Sequence, residues 1–172
     1  MRVIDLSQTI QSGMEIYPDD PEVEIEVVQQ RSEEGWELRR LTMGSHTGTH
    51  VDAFSHMHES GANLDGIPVE RFVGDAWCVT LEQDLPDGVG LIFAEHIGES
   101  MTDRILAASP PFVGGPSLDE ELERRLLGKD VITYDGLVNL DQLPTDRSFT
   151  FVGLPLKIRS GDGSPVRAIA IL

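Results

Sequence analysis

Cysteine, aromatic side chains and positive charge are all scarce in this chain. A single cysteine among 172 residues, Cys78, excludes an intramolecular disulfide, so no oxidising compartment is required. It lies in the apolar run Ala76-Trp77-Cys78-Val79-Thr80-Leu81 and reads as a small core residue without a flanking charge to activate it. Lysine and arginine total 13 against 30 aspartates and glutamates, and a net charge of −17 argues against nucleic acid and polyanionic substrates. The acid is spread along the chain and not gathered into a tail, which points to solubility. No apolar run approaches a membrane span, and Met1-Arg2-Val3-Ile4-Asp5 carries no basic and apolar leader. A soluble cytoplasmic protein with no membrane partner is expected. There is no Gly-x-Ser-x-Gly elbow for a serine nucleophile, and no phosphate-binding loop. The acidic stretch Ser160-Gly161-Asp162-Gly163-Ser164 reads as a turn.

Histidine is also scarce, but it is concentrated. Four of the five histidines fall in the stretch His46-Thr47-Gly48-Thr49-His50-Val51-Asp52-Ala53-Phe54-Ser55-His56-Met57-His58. Metal coordination is the chemistry that asks for such a cluster. On one straight strand, at roughly 3.3 Å per residue, His46 and His50 would stand about 13 Å apart, too far to share an ion. The backbone must therefore bend between them, and Gly48 is the residue that bends without penalty. His50 and Asp52 would then project from one face of a short strand or turn. A helix is the poorer reading, because it would place His46 and His50 on one face and turn Asp52 away. Two imidazoles and a carboxylate suit Zn²⁺, Mn²⁺ or Fe²⁺ and leave a coordination position open for water, as catalytic sites do. His56 is placed as a proton carrier, because imidazole titrates near neutrality. His58 reads as a structural residue.

An apolar fraction of 40% supplies a sizeable core, and the length fits one domain over residues 1–172. Strands are expected over residues 2–6, 23–28 and 36–43, the second half-buried by its period-two alternation and joined to the third by a hairpin through Glu33-Glu34-Gly35. Residues 72–81, 90–94, 130–134, 148–154 and 166–172 read as further strands. Ile97, Met101, Ile105 and Ala108 at helical spacing predict a helix over 95–108, stopped by Pro110-Pro111. A second helix is expected from an N-cap at Ser117 with Glu120 at the capping-box position, Leu122 and Leu126 facing the core and Gly128 near its end. This is an α/β pattern with a substantial mixed sheet and few helices.

The motif His-x-Gly-Thr-His-x-Asp-x-x-x-His resembles the signature of the metal-dependent cyclase/hydrolase family that includes bacterial kynurenine formamidases and isatin hydrolases. Asp5-Leu6-Ser7, Tyr17-Pro18-Asp19-Asp20-Pro21, Ile67 to Gly74, Pro116-Ser117-Leu118-Asp119, Leu137-Val138-Asn139-Leu140 and Asp162-Gly163-Ser164-Pro165-Val166-Arg167-Ala168 are similar to its other landmarks, so the resemblance runs almost end to end. It implies a β/β/α swivelling-type cyclase fold, a divalent metal, Zn or Mn, and a homo-oligomer, dimer or tetramer. Two-metal members take further ligands from a histidine and a glutamate. At the matching positions stand Glu123 and Asp135, still hard oxygen donors. The metal set implied is then His46, His50 and Asp52, extended by Asp135 and Glu123, with His56 catalytic. The chain is also shorter than many relatives between Ala94 and Pro116, which bears on the substrate pocket.

The activity expected is hydrolysis of a small amide, formamide or cyclic amide or ester, kynurenine formamidase-like, by a metal-activated water with His56 shuttling the proton. Two other readings use the same residues: a metal-dependent cyclase or dehydratase, and a non-catalytic metal or small-ligand binding protein.

Overall fold

The structure, a computed structural model, describes residues 1–172. Eleven strands run β1 (Val3–Asp5), β2 (Glu24–Gln29), β3 (Leu38–Thr42), β4 (His50–Asp52), β5 (Val73–Val79), β6 (Gly90–Phe93), β7 (Phe112–Gly114), β8 (Ile132–Asp135), β9 (Phe149–Val152), β10 (Gly163–Pro165) and β11 (Ile169–Ile171). The helices are α1 (Arg31–Glu34), α2 (Thr102–Ala107) and α3 (Glu120–Leu127), with short 3₁₀ turns between. Nine strands form one mixed sheet in the order β1-β11-β9-β5-β6-β7-β8-β4-β10, in which β5 to β8 are parallel and the flanking pairs antiparallel.

The parallel centre is apolar on both faces because both faces are covered. Along β6, Leu91 and Phe93 turn to one side, where they meet Ile97, Ile105, Leu122 and Leu126 of the helical layer. Ile92 turns to the other, into a larger core with Phe112, Tyr134 and Phe151. That second core also takes Ile4, Val51 and Ala170 from strands on both flanks of the sheet, so the sheet curls around it. Tyr134 is wholly buried, and its hydroxyl donates to the Gly153 carbonyl at 3.0 Å, which satisfies its one polar group.

Several predicted elements differ from those observed. The helix expected over 95–108 is present only from Thr102, after a 3₁₀ turn. Ile97 is taken up by a parallel bridge to Leu118, and the Asp119 carboxylate accepts from the Glu99 backbone N–H at 2.9 Å, which starts the turn there. Ser117 does not cap α3, because its hydroxyl pairs with His96 Nδ1 at 2.8 Å and Asp119 occupies the N-cap position. The second strand was expected to be half-buried, but β2 and β3 form a separate two-stranded sheet in which Val27, Val28, Leu38 and Leu41 are exposed. No further layer covers that pair, and a bulge between Val27 and Gln29 breaks its alternation. A helical turn, α1, ends at Gly35 with φ +82° and makes the reversal between them. β7 follows directly on Pro110-Pro111, and β10 begins inside the stretch read as a turn. Both are three-residue strands with glycine or proline, whose composition hides them from periodicity.

For the site, the decisive feature is the position of β4 between β8 and β10. Register sets His50 opposite Asp135 and Pro165, and Asp52 opposite Thr133 and Gly163. Three stretches far apart in sequence therefore converge on the histidine motif.

Candidate metal centre

β3 ends at Thr42, and the chain passes through a turn holding His46 before Gly48 bends it into β4. Gly48 has φ +60°, so the bend falls where only glycine is unstrained. A second glycine, Gly136 at φ +71°, follows Asp135, and a Cβ there would stand 2.6 Å from the Gly48 carbonyl oxygen. The two turns are tied together. Thr49 Oγ1 donates to the Gly136 carbonyl at 2.6 Å and accepts from the Gln8 backbone N–H at 2.9 Å, while Gln8 Nε2 donates to the same carbonyl at 3.0 Å.

His46, His50 and Asp52 each bring one ligand atom into a set whose members lie within 4.8 Å of one another. His50 Nδ1 stands 2.8 Å from the Gly48 carbonyl, which can only accept, so that nitrogen carries the proton. The Nε2 lone pair is left facing Asp52 Oδ1 at 3.5 Å. Asp52 is 1% exposed, and its other oxygen accepts from Thr133 Oγ1 at 2.8 Å. His46 lies between two carboxylates, with Nδ1 2.8 Å from Asp52 Oδ1 and Nε2 3.0 Å from Asp162 Oδ2. Burial pulls its pKa down, but Asp52 and then Asp162 outweigh this and raise it to about 9. The ring is wedged, since a Cβ on Gly163 would fall 2.3 Å from its Cε1.

His56 stacks on His46 with centroids 4.0 Å apart, and its Nδ1 is 3.6 Å from Asp162 Oδ2. Burial and the charge of His46 hold its pKa below the ordinary value, so it is neutral at pH 7. Burial first, then the charges of Asp52 and Asp135, raise Glu123 to about 9. Asp135 is raised as well, by burial ahead of the opposing pull of His50. Burial, with the charges of Asp52 and Asp135 added, keeps a proton on Glu123 above neutrality, and a positive ion beside these three carboxylates would offset their repulsion. The residues present therefore fit a divalent ion: two imidazoles and Asp52 at its centre, with Asp135 and Glu123 adjoining. His58 lies apart, its Nε2–H donating to the Arg124 carbonyl at 2.7 Å against the end of α3.

Sequence reasoning missed two residues of this site. Thr133 lies in a strand of apolar neighbours, and only the β4–β8 register brings it to Asp52. Asp162 lies 116 residues from His46, in a stretch that reads as a turn. The signal available for it is the landmark beginning at Asp162, which the family resemblance includes.

Residues 4–108 match the family model described as a putative cyclase. The chain is 29% identical to the kynurenine formamidase of Salinibacter ruber, over 98% of this chain and 97% of that protein. It is 30% identical to the kynurenine formamidase of Erythrobacter litoralis, over 98% and 93%. Among solved structures, isatin hydrolase A from Labrenzia aggregata superposes with a TM-score of 0.84 at 21% identity, covering 98% of this chain and 93% of that one. This likeness in fold accords with the observed mixed sheet and few helices. On the family match and the relatives together, the chain belongs to the putative cyclase family, the metal-dependent cyclase/hydrolase group that its histidine motif resembles.

Proposed function

We propose that residues 1–172 act as one metal-dependent hydrolase domain that opens the C–N bond of a small aryl formamide, amide or cyclic amide, with cyclic esters as the related oxygen case. The observation that carries this reading is the convergence of His46, His50 and Asp52 within 4.8 Å beside a neutral histidine, His56. The kynurenine formamidase relatives support the substrate class. A divalent ion held there, Zn²⁺ or Mn²⁺, supplies Lewis acidity toward the carbonyl and lowers the pKa of water. His46, His50 through Nε2 and Asp52 through Oδ1 would hold it. His56, at the more exposed edge, takes a proton from water and returns it to the leaving nitrogen. Thr133 and Gly48 hold the ligands in orientation.

No helix is long and apolar enough to cross a membrane, in keeping with a cytoplasmic enzyme of small molecules. The exposed Val27, Val28, Leu38 and Leu41 of the β2–β3 pair favour assembly into a homo-oligomer.

Elemental analysis of protein prepared without chelator tests the metal. About one equivalent of a divalent metal is expected in the wild type, and His50→Ala is expected to lose it; a variant that keeps metal as tightly would refute the centre. A second ion is expected to bind weakly or not at all. Asp135 is one methylene shorter than the glutamate of two-metal relatives and Glu123 offers no imidazole, while ligand distances tolerate only about 0.2 Å. Calorimetric titration with Zn²⁺ that saturates at two equivalents of similar affinity would contradict this. Loss of one equivalent on Asp135→Asn would then locate the second ion.

A further inference from the structure

Asp162 meets the histidine pair from the side opposite Asp52. Its Oδ2 lies 3.0 Å from His46 Nε2 and 3.6 Å from His56 Nδ1, and its Oδ1 accepts from Ser45 Oγ at 3.0 Å. The backbone holds it there: its carbonyl accepts from the Ala53 N–H at 2.8 Å, and the next residue, Gly163, pairs in register with Asp52. A β-carbon at 163 would collide with the imidazole of His46, so the close approach of β10 is what lets the carboxylate reach the ring. The side chain is 49% exposed, yet three partners fix its position.

We propose that Asp162 is a positioning residue shared by the two histidines: it holds His46 so that Nδ1 faces the ion, and it tethers His56 over the same spot. In the metal-free chain both ring nitrogens of His46 face carboxylates; an ion taken up on the Asp52 side would displace the Nδ1 proton, and Asp162, which only accepts, would keep the proton on Nε2 and leave the Nδ1 lone pair for the ion. Such a partner fixes both ring orientation and tautomer, and raises the basicity of the liganding nitrogen. The contact to His56 is beyond hydrogen-bond length and that ring is neutral, so there the carboxylate acts only as a charge facing the dipole of the ring. One carboxylate thereby couples the place where the metal sits to the place where the proton moves.

The proposal rests on the metal centre described above, and the test separates the two. Co²⁺ is titrated into chelator-stripped full-length protein and followed by visible absorption, with thermal melts to verify folding. Asp162→Ala is expected to weaken Co²⁺ binding about 10-fold to 100-fold, the range for loss of such a partner. Asp162→Asn, which keeps an acceptor oxygen without the charge, should fall between it and wild type. Ser45→Ala, which removes one contact and leaves the Asp162 charge beside His46, should weaken Co²⁺ binding less than Asp162→Asn. With Co²⁺ saturating and an aryl formamide as substrate, Asp162→Ala should still show a lower kcat at little-changed KM, because His56 has lost its tether. Co²⁺ affinities for Asp162→Ala and Asp162→Asn within threefold of wild type would overturn the proposal. If Asp162→Ala does not fold, Asp162→Asn decides alone on the same threshold. A wild-type chain that takes up no Co²⁺ would overturn the metal centre itself, and this inference with it.

Discussion

Replacing His56 with alanine is expected to lower kcat/KM toward an aryl formamide by roughly 10²-fold to 10⁴-fold while the metal content stays unchanged. The expectation rests on where His56 stands. His46, His50 and Asp52 form one close group of ligand atoms without it, on the more buried side of His46, whereas His56 belongs to a second, more exposed group with His46 and Asp162, its ring stacked on His46 at 4.0 Å. In the metal-free chain burial and the charge on His46 lower its pKa, with Asp52 and Asp162 only partly offsetting them; an ion on His46 would keep a positive charge at the same place, so at pH 7 His56 is a free base able to accept a proton. Activity in the wild type should therefore fall on the acid side, below the ordinary imidazole value of about 6.5, as His56 becomes charged. Rates are compared at matched, measured metal occupancy. Loss of metal in His56→Ala would make the residue a ligand, and unchanged turnover would remove it from the reaction. A chain that only binds metal or a small ligand has no turnover to lose, so the wild-type rate also separates enzyme from binding protein.

The position of His56 beside the other histidines was legible in the sequence because it belongs to a local pattern. The ligand motif, its bend at Gly48 and the short strand at Asp52 all lie within a few residues, where spacing translates directly into geometry. Strands with apolar runs, such as β5 and β6, were legible for the same reason. The partners of the site were not, because they arrive by sheet register. Thr133 reaches Asp52 only because β8 lies beside β4, and Asp162 reaches His46 only because the short strand β10 forms the other neighbour. Neither pairing leaves a period in the sequence. Helical spacing misled over 95–101 because a bridge, Ile97 to Leu118, claims the backbone at its start and a 3₁₀ turn follows before α2 begins at Thr102. Burial of Leu122 and Leu126, by contrast, follows from their spacing whatever the cap, and α3 keeps both wholly buried with Asp119 in place of Ser117 at its start.

Metal affinity should rise about tenfold per pH unit up to about pH 9, and the metal-free chain should lose stability over the same range. Both follow from His46. In the metal-free protein its two nitrogens face Asp52 and Asp162, and the pair overcomes the burial of the ring to raise its pKa from 6.5 to about 9. An ion that takes the Nδ1 lone pair must displace that proton, so protons compete with metal until the ring is neutral. For stability the sign runs the other way. A raised folded-state pKa contributes fully below the unfolded value of 6.5 and is lost as pH climbs through about 9. At about 1.4 kcal/mol per pH unit, that window is worth about 3 kcal/mol, for a side chain 18% exposed. Glu123, also raised to about 9, acts in the same direction, since the unfolded chain ionises it while the folded chain keeps it protonated. Burial raises Cys78 and Tyr134 too, but from ordinary values of 9.0 and 10.0, so they add to the decline only at the alkaline end. Urea melts of chelator-treated protein at half-unit steps from pH 6 to 9.5, paired with Zn²⁺ titrations in the same buffers, measure both slopes. Asp52→Asn, which leaves His46 with one charged neighbour, should flatten them. A metal-free midpoint and a zinc affinity that both stay constant from pH 6.5 to 9 would show that His46 is not held as an imidazolium between the two carboxylates.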